Sequence, residues 1–261
     1  MSSSSSRPFI LISNDDGYKA PGINFLIDVL RPIADLVVVA PKGSRSGFGC
    51  AITVTQPIHC KLVRQEEGLD LYACTGSPVD CVKLFFNVLK RNYNRLPDLV
   101  VSGINHGDNS SVNTFYSGTM GAASEGVMQG VPGIGFSYDN FSTSVDMSPC
   151  APHIINIVQQ VLRDGLPPLS TLNVNFPNTS DIQGVKLCRM ARSRWINEME
   201  ERVRPRTNAP YFWLTGEPLE LEPEAEDTDR WALAHGFVAI TPQTLDATNY
   251  ALLQQLQSQW R

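Results

Sequence analysis

Four short apolar runs, FILIS (9–13), DLVVVA (35–40), PDLVVSG (97–103) and PGIGFSY (132–138), recur along this chain with helix-length segments between them. They are of strand length and lack a polar face, so they read as strands covered on both sides. Strands of that kind belong to parallel sheets with helices packed on each face. Helices are expected over 22–32, after Ser77, over 117–130 and over 149–164, and TLNVNFP (171–177) closes the regular core. The alternation predicts an α/β fold built as a doubly wound, mostly parallel sheet.

Between the second and third runs, AITVT (51–55), IHCKLV (58–63) and LYACT (71–75) read as β-rich material ending at Gly76. The next helix is signalled by Ser77 as N-cap, Pro78 in the first turn and Asp80 three residues after the cap. Beyond 178 the pattern weakens into strands near 184–190 and 236–241 and a short polar helix over 248–260. The acidic, proline-rich GEPLELEPEAEDTD (216–229) reads as a solvated loop, and the opening MSSSSSRP (1–8) as a disordered tail.

Charge removes some classes of function. Lys and Arg number 21 against 26 Asp and Glu, a net charge of −5, whereas proteins that bind nucleic-acid polymers carry basic stripes that neutralise phosphates. A small phosphorylated ligand remains compatible. No apolar run approaches the roughly 18 residues of a membrane span. The six cysteines (Cys50, Cys60, Cys74, Cys81, Cys150, Cys188) form no CxxC or Cys/His spacing, so reduced thiols in a cytoplasmic protein are expected.

Three polar loops follow three of the expected strands: NDDG (14–17), PKGSRSGFG (41–49) and INHGDNSS (104–111). In open parallel sheets the carboxyl edge gathers such loops at the topological switch point, where ligands bind. Taken singly, NDDG is ordinary turn chemistry. Converging with the others, it becomes a hard-oxygen set: carboxylates from Asp15 and Asp16, with neutral oxygens from Ser46 and Asn105, suit Mg²⁺ or Mn²⁺. A divalent ion would also relieve the repulsion between the adjacent carboxylates. In TFYSGTMGAASEG (114–126), Ser117, Gly118 and Thr119 open an expected helix, where free amides and the helix dipole favour an anion such as phosphate.

Other nucleotide-binding signatures are missing: the loop after the first strand is not GxGxxG, and no GxxxxGK[ST] occurs. NDDG is not the spaced DxD of an aspartyl-phosphate enzyme, which favours direct attack by water over a covalent intermediate. The histidines His59, His106, His153 and His235 have no metal-ligand spacing among them, although His106 falls inside the candidate site.

At NDDG (14–17), APKGSRSG (40–47), GSPVDCV (76–82), SGINHGDN (102–109) and YSGTMGAASEG (116–126) the chain resembles the SurE survival proteins, with weaker echoes in LNVNFP (172–177) and TDRWALAHGFVAITP (228–242). The resemblance implies a Rossmann-like core over 9–178 and an oligomerisation segment over 179–261, whose extended hairpin and terminal helix exchange between subunits of a homodimer or homotetramer. It implies a stationary-phase, metal-dependent 5′/3′-nucleotidase acting on nucleoside monophosphates, with short polyphosphate as a further substrate. One divalent metal per subunit would be held by Asp15, Asp16, Ser46 and Asn105, with the two aspartates catalytic. Asn109, Ser117, Gly118 and Thr119 would hold the phosphate, and Asp229 and His235 would lie near the hinge of the exchanged segment. The chain departs from relatives at Lys42, Gly43 and Phe48, a loop that bears on which base or sugar is admitted, and at TPQTLD (241–246). Rival readings are a non-catalytic nucleotide or polyphosphate sensor using the same cradle, and a structural protein whose loops are only turns.

Overall fold

The computed structural model of the chain describes residues 7–260. Of the tail expected over 1–8, residues 1–6 lie outside the described residues, while Arg7 pairs with Asp35 at 3.1 Å. The expected alternation is present as β1 (Phe9–Ser13), α1 (Pro21–Leu30), β2 (Asp35–Pro41), β3 (Cys60–Glu66), β4 (Leu69–Cys74) and α2 (Pro78–Asn87). It continues with β5 (Leu99–His106), α3 (Gly118–Met128), β6 (Gly133–Tyr138), α4 (Ala151–Asp164) and β7 (Ser170–Phe176). Nine strands form one sheet in the order β3-β4-β2-β1-β5-β6-β7, followed by two strands from the later part of the chain, β13 (Phe237–Thr244) and β8 (Gly184–Leu187).

The pairs from β4 across to β7 are all parallel, which places the carboxyl ends of β1, β2 and β5 on one edge. The chain leaves β1 toward β2 on one side and returns through β5 on the other, so the crevice between β1 and β5 is the switch point. Alternate residues of β1 divide between two cores. Ile10 and Ile12 pack with Ile23, Leu26 and Leu30 of α1 and Ile154 and Val158 of α4. Phe9 and Leu11 pack with Val82, Phe85 and Phe86 of α2. That two-sided burial is why the strands carry no polar face.

Three expectations change. AITVT (51–55) forms no strand, because its backbone is engaged by the cap of α2: Ser77 Oγ donates to the Ala51 carbonyl at 2.6 Å and the Thr53 amide donates to the Asp80 carboxylate at 3.1 Å. The acidic stretch is not all solvated loop. It contributes β12 (Glu217–Glu220), antiparallel to β9 (Ser193–Ile196), and its Glu222 and Asp227 are paired to Arg189. The cysteines are not all reduced thiols: Cys60 and Cys74 stand opposite each other in the antiparallel β3–β4 register, Cα atoms 4.2 Å apart, and are joined as a disulfide. Sequence spacing could not foresee a pairing set by strand register. Cys50 is a free exposed thiol, and Cys81, Cys150 and Cys188 are free and buried.

The remaining elements are a hairpin of β10 (Met199–Val203) and β11 (Pro210–Leu214), then α5 (Asp229–Ala234) and α6 (Tyr250–Gln259). No side chain of α6 is buried. No helix among the described residues is long and apolar enough to cross a membrane.

Candidate active site

The site begins where β1 runs out. The Asn14 side chain closes the turn by accepting from the Gly17 amide at 3.2 Å and donating to the Gly17 carbonyl at 3.1 Å. Gly17 has φ +101°, and a Cβ there would lie 3.1 Å from the Gly43 carbonyl carbon, so only glycine fits. This close approach brings the loop after β2 over the carboxylates. The Arg45 amide donates to the Asp15 carbonyl at 2.6 Å; Ser46, the next residue, is exposed, with its hydroxyl 2.9 Å from that of Ser44.

From the other side α3 arrives. Ser117 caps the helix by accepting from the Met120 amide at 3.1 Å. Thr119 Oγ1 donates to Asp15 Oδ1 at 2.5 Å, and a Cβ on Gly118 would come within 2.8 Å of the Asp15 Cβ. The helix N-terminus is therefore pressed onto the Asp15 side chain, which is 3 % exposed. Asp16 is less enclosed, and its Oδ2 accepts from the His106 amide at 3.3 Å at the end of β5. Asn105 precedes it, its Nδ2 turned to the Gly107 carbonyl at 2.7 Å. The contacts thus join four of the sequence-derived residues, Asp15, Asp16, Gly118 and Thr119, and hold Ser46, Asn105 and Ser117 by their chain neighbours.

Asn109 sits deeper. Its amide nitrogen donates to Ser137 Oγ at 2.7 Å, its backbone N–H to Asn175 Oδ1 at 2.7 Å, and its carbonyl accepts from Asn173 Nδ2 at 2.8 Å. Asn173 and Asn175, both fully buried on β7, were missed by reading the sequence. Their signal was available: two asparagines spaced by two on a buried strand share one face.

Burial, first of all, lifts the Asp15 carboxyl from 3.8 to about 6; the Thr119 hydrogen bond opposes the shift and the Asp16 charge adds to it. Asp16 is likewise raised, by burial, against the pull of the His106 amide and ring. Two neighbouring carboxylates held out of water favour a cation between them. Among the described residues no group of three or more His, Cys, Asp and Glu side chains assembles; the candidate donors are the two carboxylates with the Ser46 hydroxyl, which is hydrogen-bonded to Ser44 Oγ at 2.9 Å, and the Asn105 amide oxygen. All four are hard oxygens, which fits Mg²⁺ or Mn²⁺ and not zinc.

Further along, Asp229 is fully buried and accepts from the amides of Ser111 and Ala191, each at 2.9 Å, which ties the later segment to the loop leading into Ser117. His235, at the other end of α5, stacks on Trp231, ring centroids 3.7 Å apart.

Fold and site together define a doubly wound α/β protein with a carboxylate pair and a helix N-terminus converging on one sheet edge. The family described as survival protein SurE matches residues 10–197, and the chain belongs to that family. It is 50 % identical over 252 residues to the 5′-nucleotidase SurE of Bacteroides fragilis, covering 97 % of each chain. The 5′-nucleotidase SurE of Flavobacterium psychrophilum is 44 % identical over 255 residues, covering 96 % of this chain and 97 % of that one. The crystal structure of the SurE protein from Aquifex aeolicus superimposes with a TM-score of 0.82 at 34 % identity, covering 97 % of this chain and all of that one.

Proposed function

We propose that this protein is a divalent-metal-dependent nucleotidase that hydrolyses nucleoside 5′- and 3′-monophosphates, and short polyphosphate as a further substrate, by direct attack of water on phosphorus. The observation that carries the reading is the seating of Asp15 under the first turn of α3, with Thr119 Oγ1 at 2.5 Å and Asp16 alongside. A cation-binding pair and an anion-binding helix end share one edge there. The relatives named 5′-nucleotidase, nearly full length at up to 50 % identity, support it.

When bound by Asp15, Asp16, Ser46 and Asn105, Mg²⁺ or Mn²⁺ supplies Lewis acidity, acidifying water and offsetting phosphoryl charge. The chain's own residues do the rest. One carboxylate of the pair, Asp15 or Asp16, takes up the proton that the attacking water releases. The Thr119 amide and the Ser117 hydroxyl donate to the phosphoryl oxygens, the Ser117 amide being engaged by the Thr114 carbonyl at 3.4 Å and the Gly118 amide by the Asp15 carboxylate, and Asn109 adds its side chain, anchored on Ser137, with its backbone held by Asn175. Each donor aimed at developing charge lowers the barrier by on the order of 2.7 to 4 kcal/mol. The exposed hairpin and α6 serve a homodimer or homotetramer formed by exchange of the segment after 178.

The test is phosphate release from a panel of nucleoside monophosphates and p-nitrophenyl phosphate with Mn²⁺, Mg²⁺ or EDTA, comparing wild type with Asp16→Asn. Release that needs the metal and collapses in Asp16→Asn, with circular dichroism unchanged, is the expected result. Binding of metal and nucleotide without release would establish a sensor instead.

A further inference from the structure

Three large aromatic side chains on the two segments that flank this site are left in solvent: Phe48 is 46 % exposed, Phe115 68 % and Tyr116 60 %. Single exposed apolar residues need no explanation, but a group of them at the rim of a polar crevice points to a ligand. Their grouping comes from backbone contacts. The Gly49 amide donates to the Tyr116 carbonyl at 3.1 Å, a Cβ on Gly49 would lie 3.2 Å from the Phe115 carbonyl oxygen, and a Cβ on Gly121 would lie 2.6 Å from the Gly49 carbonyl oxygen. The loop after β2 is therefore seated on the segment entering α3, which brings the backbone at Phe48–Gly49 against that of Phe115 and Tyr116. Arg45 stands over the Phe48 ring at 5.3 Å while its guanidinium donates to the Thr75 carbonyl at 2.9 Å, so the ring has a fixed cationic backing. Tyr116 adjoins Ser117, and Phe48 is three residues from Arg45, whose amide reaches Asp15.

We infer that Phe48 and Phe115 form a nucleobase subsite, in which the base of a nucleotide stacks while its phosphate occupies the α3 cradle. The inference rests on the nucleotidase reading and narrows it: the preferred substrates carry a planar aromatic group, and plain sugar phosphates are poor ones. Every base has a π-face, so the rim selects nucleotides as a class and leaves the choice among bases to other contacts. A second copy of the chain is the rival occupant of the rim, but apolar residues of the β10–β11 hairpin, remote in sequence, already offer that surface.

The experiment compares kcat/KM for adenosine 5′-monophosphate with that for ribose 5-phosphate in wild type, Phe48→Ala, Phe115→Ala and Phe115→Trp, with sedimentation of each variant. Wild type is expected to favour the nucleotide. The ratio should fall about tenfold in each alanine variant, mainly through KM, and be retained in Phe115→Trp with the sedimenting mass unchanged. A wild type that does not discriminate, a ratio untouched by the alanine changes, equal losses on both substrates, or a loss accompanied by dissociation of the oligomer would each overturn the subsite. If wild type releases phosphate from nothing, the nucleotidase reading fails. Calorimetric binding of the same two compounds with Mn²⁺ then tests the stacking rim independently, tighter nucleotide binding lost in Phe115→Ala sustaining it and equal binding refuting it.

Discussion

Asp15 is held in a state that suits a bound cation and burdens the ion-free fold. Its carboxyl, raised mainly by burial from 3.8 to about 6, binds a proton more tightly folded than unfolded. That contribution to stability is complete below 3.8 and is lost as pH rises through about 6. At neutral pH the ionised group therefore costs the ion-free protein about 3 kcal/mol. Asp15→Asn is expected to melt higher than wild type near neutral pH in EDTA and to match it near about pH 4, while phosphate release falls about a hundredfold or more. Thermal melts at the two pH values check this; a variant no more stable at neutral pH would mean that the buried charge is already compensated. The asparagine retains an acceptor for Thr119 but turns a donor where Asp15 accepts from the Gly118 amide, so the gain at neutral pH is expected to be smaller than the full cost of the charge.

Among the elements, α2 links its own stability to the loop that crosses the site. Ser77 accepts from the Asp80 amide at 3.1 Å and donates to the Ala51 carbonyl at 2.6 Å, and the Asp80 carboxylate accepts from the amides of Ser77 and Thr53. Ser77→Ala removes the cap and strands the Ala51 carbonyl, an expected loss of about 2 kcal/mol, with Ser77→Thr restoring most of it. Denaturant melts measure the loss, and limited proteolysis should find faster cutting near 51–55 in the alanine variant alone. At the edge of the sheet, the Cys60–Cys74 disulfide closes a sequence separation of 14 residues, worth about 3 kcal/mol by loop entropy. A thiol reagent should find Cys50 alone in the native protein, the four free cysteines after denaturation, and all six after reduction. Six reactive thiols in the unreduced, denatured protein would mean that the pair is not joined.

At the scale of the molecule, the segment after β7 does two things. Its β13 and β8 extend the main sheet, with β13 antiparallel to β7 and parallel to β8, and Asp229 of α5 grips Ser111. Its hairpin, by contrast, leaves Phe212, Trp213 and Leu214 exposed, and α6 buries nothing. Apolar surface of that kind is covered in stable proteins by a partner. Sedimentation is expected to give a mass of two or four chains of 28.8 kDa, and Phe212→Glu with Trp213→Glu to shift it toward one chain while circular dichroism is preserved. A wild-type mass of a single chain would remove the exchange reading and leave the hairpin without an occupant.

The class of fold was legible in residues 9–177 because burial on both faces forces continuous apolar runs, and helix capping is local chemistry: Ser77, Pro78 and Asp80 stand where their spacing put them. The loops that gather at the site were also legible, since parallel strands must present their carboxyl ends together. What only the tertiary structure decided are the pairings between residues far apart in the chain. AITVT satisfies the periodicity of a strand, yet its donors and acceptors are taken by a helix cap, and no local pattern records that competition. Cys60 meets Cys74 because of the β3–β4 register. Thr119 turns its hydroxyl to Asp15, 104 residues away, because a glycine at 118 lets the helix end close on that side chain, which leaves its amide as the group that faces a phosphate in the proposed site. Propensity and periodicity act over a few residues, whereas register and close approach depend on how the whole sheet is wound.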